Sequence, residues 1–335
     1  MFVALLVVVM VAVGGATRLT DSGLSITQWK PLLGAIPPLN AADWADAFSR
    51  YKAIPEYKLV NAGMSLEAFK FIYWWEWGHR FLGRCIGLVY AIPLIGFWLA
   101  GRIPSRLKLP LVAVLALGAL QGFVGWYMVQ SGLIERVDVS QYRLAMHLGL
   151  AFILLGCLIW LGLAVRPADP LARLQSVGAP ARWLAAAMVL LIFCQVVLGA
   201  LVAGTKAGLT YNTWPLMDGD LVPGGMWDMV PWYTNFAENL TTIQFNHRVT
   251  AYALVAATAG QALIIARQTD RRPAIATAWL LAAAMIGQAG LGIWILLAVD
   301  GAIPIGLGVA HQTAAAVVFG MAVWHLHSVR TAARL

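Results

Sequence analysis

The chain has 335 residues, of which 61% are hydrophobic and only 11% charged, with a formal net charge of +8. A soluble globular protein carries charges on about a quarter of its residues, so the composition excludes that class and indicates a chain lying mostly in lipid. The positive balance sits mainly in short connections between apolar segments, where it sets topology and needs no nucleic acid to explain it.

Eight stretches reach or approach the roughly 20 apolar residues that a spanning helix needs. They run 1–16, 77–100, 108–129, 143–165, 183–204, 245–266, 274–298 and 305–327. The first lacks the basic flank of a secretory signal, so it reads as a span, with room for a natural start upstream. Arg102, Arg106, Lys108, Arg166, Arg173, Arg182, Arg267, Arg271, Arg272, Arg330 and Arg334 occupy the connections 101–109, 166–182, 267–273 and 328–335. The short connections 130–142 and 299–304 hold only Arg136 between them. The positive-inside rule then puts both termini in the cytoplasm and the long connections 17–76 and 205–244 outside. The expected location is a bacterial inner membrane, crossed many times. Cys85, Cys157 and Cys194 fall within spans and are expected to be small buried apolar residues with no disulfide role.

In chain order, the first outer connection contains Gly23-Leu24-Ser25 with Trp29 six residues after the glycine, and the later one contains Gly208-Leu209-Thr210 with Trp214 at the same spacing. Residues 43–51 and 65–76 read as short helices inside the first connection, the second running into the second span. Gln121 and Gly125 correspond to Gln288 and Gly292, His79-Arg80 to His247-Arg248, and His147 to His311, at separations of 167, 168 and 164 residues. A four-helix unit has therefore been duplicated. Four spans per copy is an even number, which gives the copies the same orientation. The expected fold is an all-α integral membrane protein of eight transmembrane helices in two tandem four-helix bundles. Its parts are an N-terminal half at 1–165 with the large outer loop 17–76, a cytoplasmic linker at 166–182, and a C-terminal half at 183–335.

Only six histidines are present. Four of them, His79, His147, His247 and His311, fall one per even-numbered span near the same expected membrane face; His325 and His327 lie near the C-terminus. A single histidine at a helix end is readily explained by a headgroup hydrogen bond, but four at duplicated positions mark function, because polar groups in membranes are costly. Zinc and copper sites draw three or four close ligands, often with cysteine or carboxylate. Here each half offers two histidines on separate helices, the arrangement that suits iron in a heme ligated on both axial sides. Gly83, Ala151, Ala251 and Ala315, four residues after the ligands, are small enough to let a macrocycle approach. Arg80 and Arg248 are placed to pair with heme propionates; snorkelling would explain either one alone, but the recurrence of His-Arg favours the heme. Glu76 shares a helix face with His79 one turn away, and its counterpart is Gln244, which cannot ionise. This carboxylate either is an interfacial charge or moves protons and orients a substrate group. The first half thus reads as the reactive site and the second as an electron-transfer or structural heme.

Glu76-x-x-His79-Arg80, the two Gly-Leu-Ser/Thr loops, Tyr211-Asn212-Thr213-Trp214-Pro215-Leu216-Met217, Asn246-His247-Arg248 and His311-Gln312, in this order on eight spans, resemble the heme A synthase family. The resemblance is greatest to its proteobacterial and mitochondrial branch and covers nearly the whole chain. The Gram-positive branch carries a cysteine pair in its first outer loop that this chain lacks. The resemblance implies an oxidoreductase of heme A biosynthesis that converts the C8 methyl group of heme O to a formyl group by successive hydroxylations, the final step before cytochrome oxidase assembly. It implies that His79 and His147 hold substrate or product heme with Glu76 needed for turnover, and that His247 and His311 ligate a resident heme b. Heme O synthase, oxidase assembly factors, membrane lipid and a second copy of the chain are the partners it suggests; the residues name no electron donor or acceptor. The contrasting expectation is a two-heme transmembrane b-type cytochrome, quinol- or ferric-reductase-like, in which Glu76 would be dispensable.

Overall fold

The computed structural model describes every residue except 31–32, 135, 166–176 and 331–335. Its long helices are Phe2–Leu19 (α1), Leu66–Leu99 (α4), Ser105–Ile134 (α5), Gln141–Ala164 (α6), Ala179–Thr205 (α7), Leu240–Gln268 (α8), Arg272–Leu297 (α9) and Ile305–Val329 (α10). All eight are long and apolar enough to cross a membrane, matching the eight expected spans. Two short helices, Ala41–Lys52 (α2) and Pro55–Leu59 (α3), lie in the first long connection. The first was expected. The five-residue α3 was not, since one turn is too short to show periodicity. Most of the expected linker at 166–182 lies outside the described residues, as do Arg166, Arg173 and Arg334.

Side-chain caps set several helix starts. Asn40 accepts from Asp43 N–H at 2.9 Å to open α2, Ser65 from Ala68 N–H at 3.1 Å to open α4, and Asn239 from Thr242 N–H at 3.2 Å to open α8. Each satisfies a first-turn donor that would otherwise lack an acceptor, a contribution of about 1 kcal/mol.

Contacts divide the chain into two compact units, Phe2–His147 and, with Met1, the residues from Leu148 onward. The division falls inside α6, because the part of that helix after His147 packs on the later helices. Phe152 meets Phe319 edge-on at 5.4 Å between ring centroids, and a Cβ on Gly149 would stand 3.4 Å from Phe193.

In the N-terminal unit α1 packs closely along α4, and α4 more loosely against α5. Above the first turns of α4 the connection folds into an aromatic cover. Leu24, Phe48, Tyr51, Ile54, Phe69, Ile72, Tyr73 and Val139 are buried together there, with Phe48 stacked on Phe69 at 4.9 Å. In the C-terminal unit α7, α8, α9 and α10 close a ring in which each helix packs on the next and α10 returns to α7.

One expectation needs correcting. The cysteines are free, but Cys194 is exposed and Cys85 and Cys157 are only half-buried. Lipid tails are as apolar as a protein interior, so a small apolar side chain on a spanning helix gains little by facing inward.

Candidate functional site

Glu76 lies on the buried face of α4 with Phe69 and Ile72, and only 2% of it is exposed. Burying a carboxylate costs several kcal/mol unless partners replace the lost water. Here they do. Oε2 accepts from the Ser25 hydroxyl at 2.7 Å and from the Ile26 N–H at 2.6 Å, while Oε1 is ion-paired with Arg80 one turn on. The Arg80 guanidinium also donates to the carbonyls of Ile26 at 2.9 Å and Gln28 at 3.2 Å. Helix and loop are thereby locked into one polar knot beside His79.

The second half repeats the knot without the charge. Arg248 donates to the carbonyls of Tyr211 at 2.8 Å and Thr213 at 2.9 Å, and the Gln244 amide donates to the Tyr211 carbonyl at 2.9 Å. Ile26 and Tyr211, like Gln28 and Thr213, stand 185 residues apart, the separation of the two Gly-Leu loops. Both arginines therefore clamp equivalent loop carbonyls, a role that sequence reasoning did not assign to them; it considered only propionates and snorkelling.

Each histidine ring rests on a glycine from a neighbouring helix. A Cβ on Gly14 of α1 would stand 3.1 Å from His79 Nε2, and one on Gly125 of α5 would stand 2.9 Å from the His147 ring. In the second half Gly199 of α7 gives 3.2 Å to His247, and Gly292 of α9 gives 2.9 Å to His311. A side chain at Gly125 or Gly292 would force the ring to shift, and one at Gly14 or Gly199 would press it aside by a few tenths of an ångström. Gly14 and Gly199 are again 185 residues apart, the separation of the two Gly-Leu loops.

Three glutamines complete the histidine surroundings. Gln121 donates to the His147 carbonyl at 3.0 Å, Gln195 to the His247 carbonyl at 2.9 Å and Gln288 to the His311 carbonyl at 3.0 Å. The same amide nitrogens lie 3.2–3.4 Å from ring nitrogens of these histidines. The amide oxygens of all three, and His247 Nδ1, are buried without a hydrogen-bond partner. Buried polar atoms left unpaired are costly and call for an explanation. Partners around a ligating histidine hold it in orientation, and each of these amides, bonded to the histidine's own carbonyl with its nitrogen at the ring, holds one ring in that way. Two imidazoles per half, each seated on a glycine of a neighbouring helix, are a donor set that would suit heme iron.

The two remaining histidines are placed differently. His325 is fully buried between the Thr277 hydroxyl at 3.0 Å and the Gln261 amide at 3.2 Å. The His327 ring packs edge-on against Trp160 at 5.3 Å. Both are accounted for by packing and hydrogen bonding within the helices.

Residues 1–323 match the family model described as cytochrome oxidase assembly protein. The heme A synthase of Agrobacterium fabrum is 51% identical over 316 residues, covering 94% of this chain and 85% of that protein. The heme A synthase of Parvibaculum lavamentivorans is 50% identical over 325 residues, covering 97% and 91%, and that of Allorhizobium ampelinum 50% over 319 residues, covering 95% and 85%. The chain belongs to the heme A synthase family. The matched residues 1–323 include both histidine pairs, Glu76 and Gln244.

Proposed function

We infer that this chain is a heme A synthase, an oxidoreductase that converts the C8 methyl group of heme O to a formyl group. The observation that carries the reading to particular residues is the unequal pair of knots. Where Gln244 makes a neutral bond to a loop carbonyl, Glu76 on the His79 helix supplies a buried carboxylate that accepts from Ser25 and Ile26 of the loop and pairs with Arg80 of its own helix. A site built twice and charged once has one reactive copy.

In this reading His79 and His147 ligate the substrate or product heme and His247 and His311 ligate heme b. The bound heme b iron supplies a one-electron redox centre. With water as the oxygen source, converting the methyl to a formyl group gives up four protons and passes four electrons to an external electron acceptor, and Glu76 is the base at hand for a proton, with the Ser25 hydroxyl against its Oε2 as the next group along. Arg80 fixes the carboxylate and the loop together, so the acceptor is positioned before substrate arrives. The aromatic cover excludes water from that side. Arg80 and Arg248 have further donors to offer a propionate beyond those spent on loop carbonyls. The distribution of basic residues supports placement in a bacterial inner membrane with both termini cytoplasmic and both heme sites toward the periplasm. Heme O synthase upstream and oxidase assembly factors downstream are the partners consistent with this position in heme A biosynthesis.

The test is chromatography of hemes extracted from the purified protein after co-expression with a source of heme O, beside a Glu76→Gln variant. Heme A or hydroxylated heme O with the parent, lost in the variant, is the expected result. Heme B alone in both, with heme O untouched, would leave a two-heme b-type electron carrier instead.

A further inference from the structure

Three of the four histidines have a glutamine from an adjacent helix at the ring, each with a buried carbonyl oxygen to spare. His79 has none, and among the described residues its ring makes no hydrogen bond. The difference has an address. On α7 Gln195 stands four residues before Gly199, the glycine beneath His247. On α1 the residue four before Gly14, the glycine beneath His79, is Met10. The register is secured by packing, because the buried positions Val7, Val11, Gly15 and Ala16 of α1 correspond at the same 185-residue separation to Ile192, Val196, Ala200 and Leu201 of α7, also buried. The Met10 methyl lies 3.4 Å from where a Cβ on Gly83 would stand, against α4 one turn beyond His79. Met10 thus fills the glutamine's place with a thioether, which donates nothing and accepts only weakly.

A ligating histidine held in orientation by a neighbouring hydrogen-bonding side chain binds its metal more tightly, and losing that partner costs about 10–100-fold in metal affinity. A resident cofactor calls for that hold on both ligands. A substrate that must leave after oxidation calls for one ligand that lets go. The helix packing agrees: α8 and α9 pack closely in the C-terminal unit, whereas α4 and α5, their counterparts, pack more loosely. Simple gap filling by a methionine in an apolar helix would explain Met10 alone, but it does not explain why the amide is missing at one ligand of the reactive half and present at both ligands of the other.

We propose that Met10, standing where the second half has Gln195, makes His79 the releasable axial ligand, so that the first-half site exchanges its iron tetrapyrrole while the second retains its own. Met10 and Gln195 act here as positioning residues. The proposal rests on the reading that each histidine pair holds a heme.

The test uses the full chain in detergent with both sites loaded with heme B, and follows transfer to excess apomyoglobin. The parent should lose heme in two phases, the fast one absent in His79→Ala and the slow one absent in His247→Ala. Met10→Gln should slow the fast phase by about 10–100-fold, and Gln195→Met should speed the slow phase by a similar factor. A low-spin absorption spectrum retained in each variant shows that both axial ligands are still in place. If Met10→Gln fails to fold, Gln195→Met decides by itself. Parent-like phases in variants that still bind two hemes overturn the proposal. Two hemes retained in both His→Ala proteins would instead overturn the heme assignment beneath it.

Discussion

The carboxylate of Glu76 accepts a hydrogen bond from the backbone N–H of Ile26 at 2.6 Å, across fifty residues of chain. The contact ties the loop to the helix and leaves the carboxylate facing donors rather than water. Ser25, next to Ile26, adds its hydroxyl to the same oxygen at 2.7 Å and touches the Ile72 carbonyl at 3.3 Å. Loop and acid are one device.

Ser25→Ala removes a bond to a charged acceptor. Such bonds contribute about 1.5–3 kcal/mol, so conversion of heme O should fall about tenfold or more while the heme content of the purified protein stays at the parental value. Thr210→Ala, at the corresponding loop position, should leave conversion unchanged. Single-turnover assays with heme stoichiometry measured on the same samples check both.

The two arginines differ in what their loss exposes. Arg248→Lys gives up a fork that serves two carbonyls and should cost about 1.5–3 kcal/mol. Arg80→Ala also leaves Glu76 buried without its counter-charge, so its cost should reach about 3–5 kcal/mol. Thermal unfolding in detergent should rank Arg80→Ala below Arg248→Lys, and restoring neutrality with Glu76→Gln in the Arg80→Ala background should recover part of the loss.

Gly125 and Gly292 set the space beside His147 and His311, each leaving only 2.9 Å between an added Cβ and the ring. Valine at either position must displace a ring held by a glutamine. Each single variant is expected to bind about half the parental heme, and the double variant almost none; pyridine hemochrome titration counts them.

Glu56, in α3 of the cover, is 4% exposed and its Oε2 has no partner. Burial pushes its pKa up to about 8 from 4.5, with the carboxylates of Asp21, Glu76 and Asp138 adding to the rise. The folded cover therefore favours the protonated acid. Its stabilising contribution is complete below pH 4.5 and is lost as pH rises toward about 8. Hydrogen exchange over residues 41–60, corrected for intrinsic rates, should show protection falling across that interval, and Glu56→Gln should flatten the slope.

The eight helices, the duplication, the four histidines and the Glu76–Gln244 difference were all legible in the residues. Spans announce themselves by length and hydropathy, and a repeat keeps its spacing, so these depend only on local composition and counting. The glycines under the rings, the glutamines beside them, the loop carbonyls held by Arg80 and Arg248, and the Ser25–Glu76 contact were not. Gln121, Gly125, Gln288 and Gly292 stood out as repeat landmarks, but nothing local says that an amide on one helix reaches an imidazole on the next. Gly14 and Met10 looked like any small or apolar residues of a first span. Their meaning arises only when α1 packs along α4 and the buried face brings Gly14 onto His79. Sequence alone determined where the charges and the histidines fall along the chain; tertiary packing decided which neighbours hold them, because hydrogen bonds and ring contacts join helices dozens of residues apart.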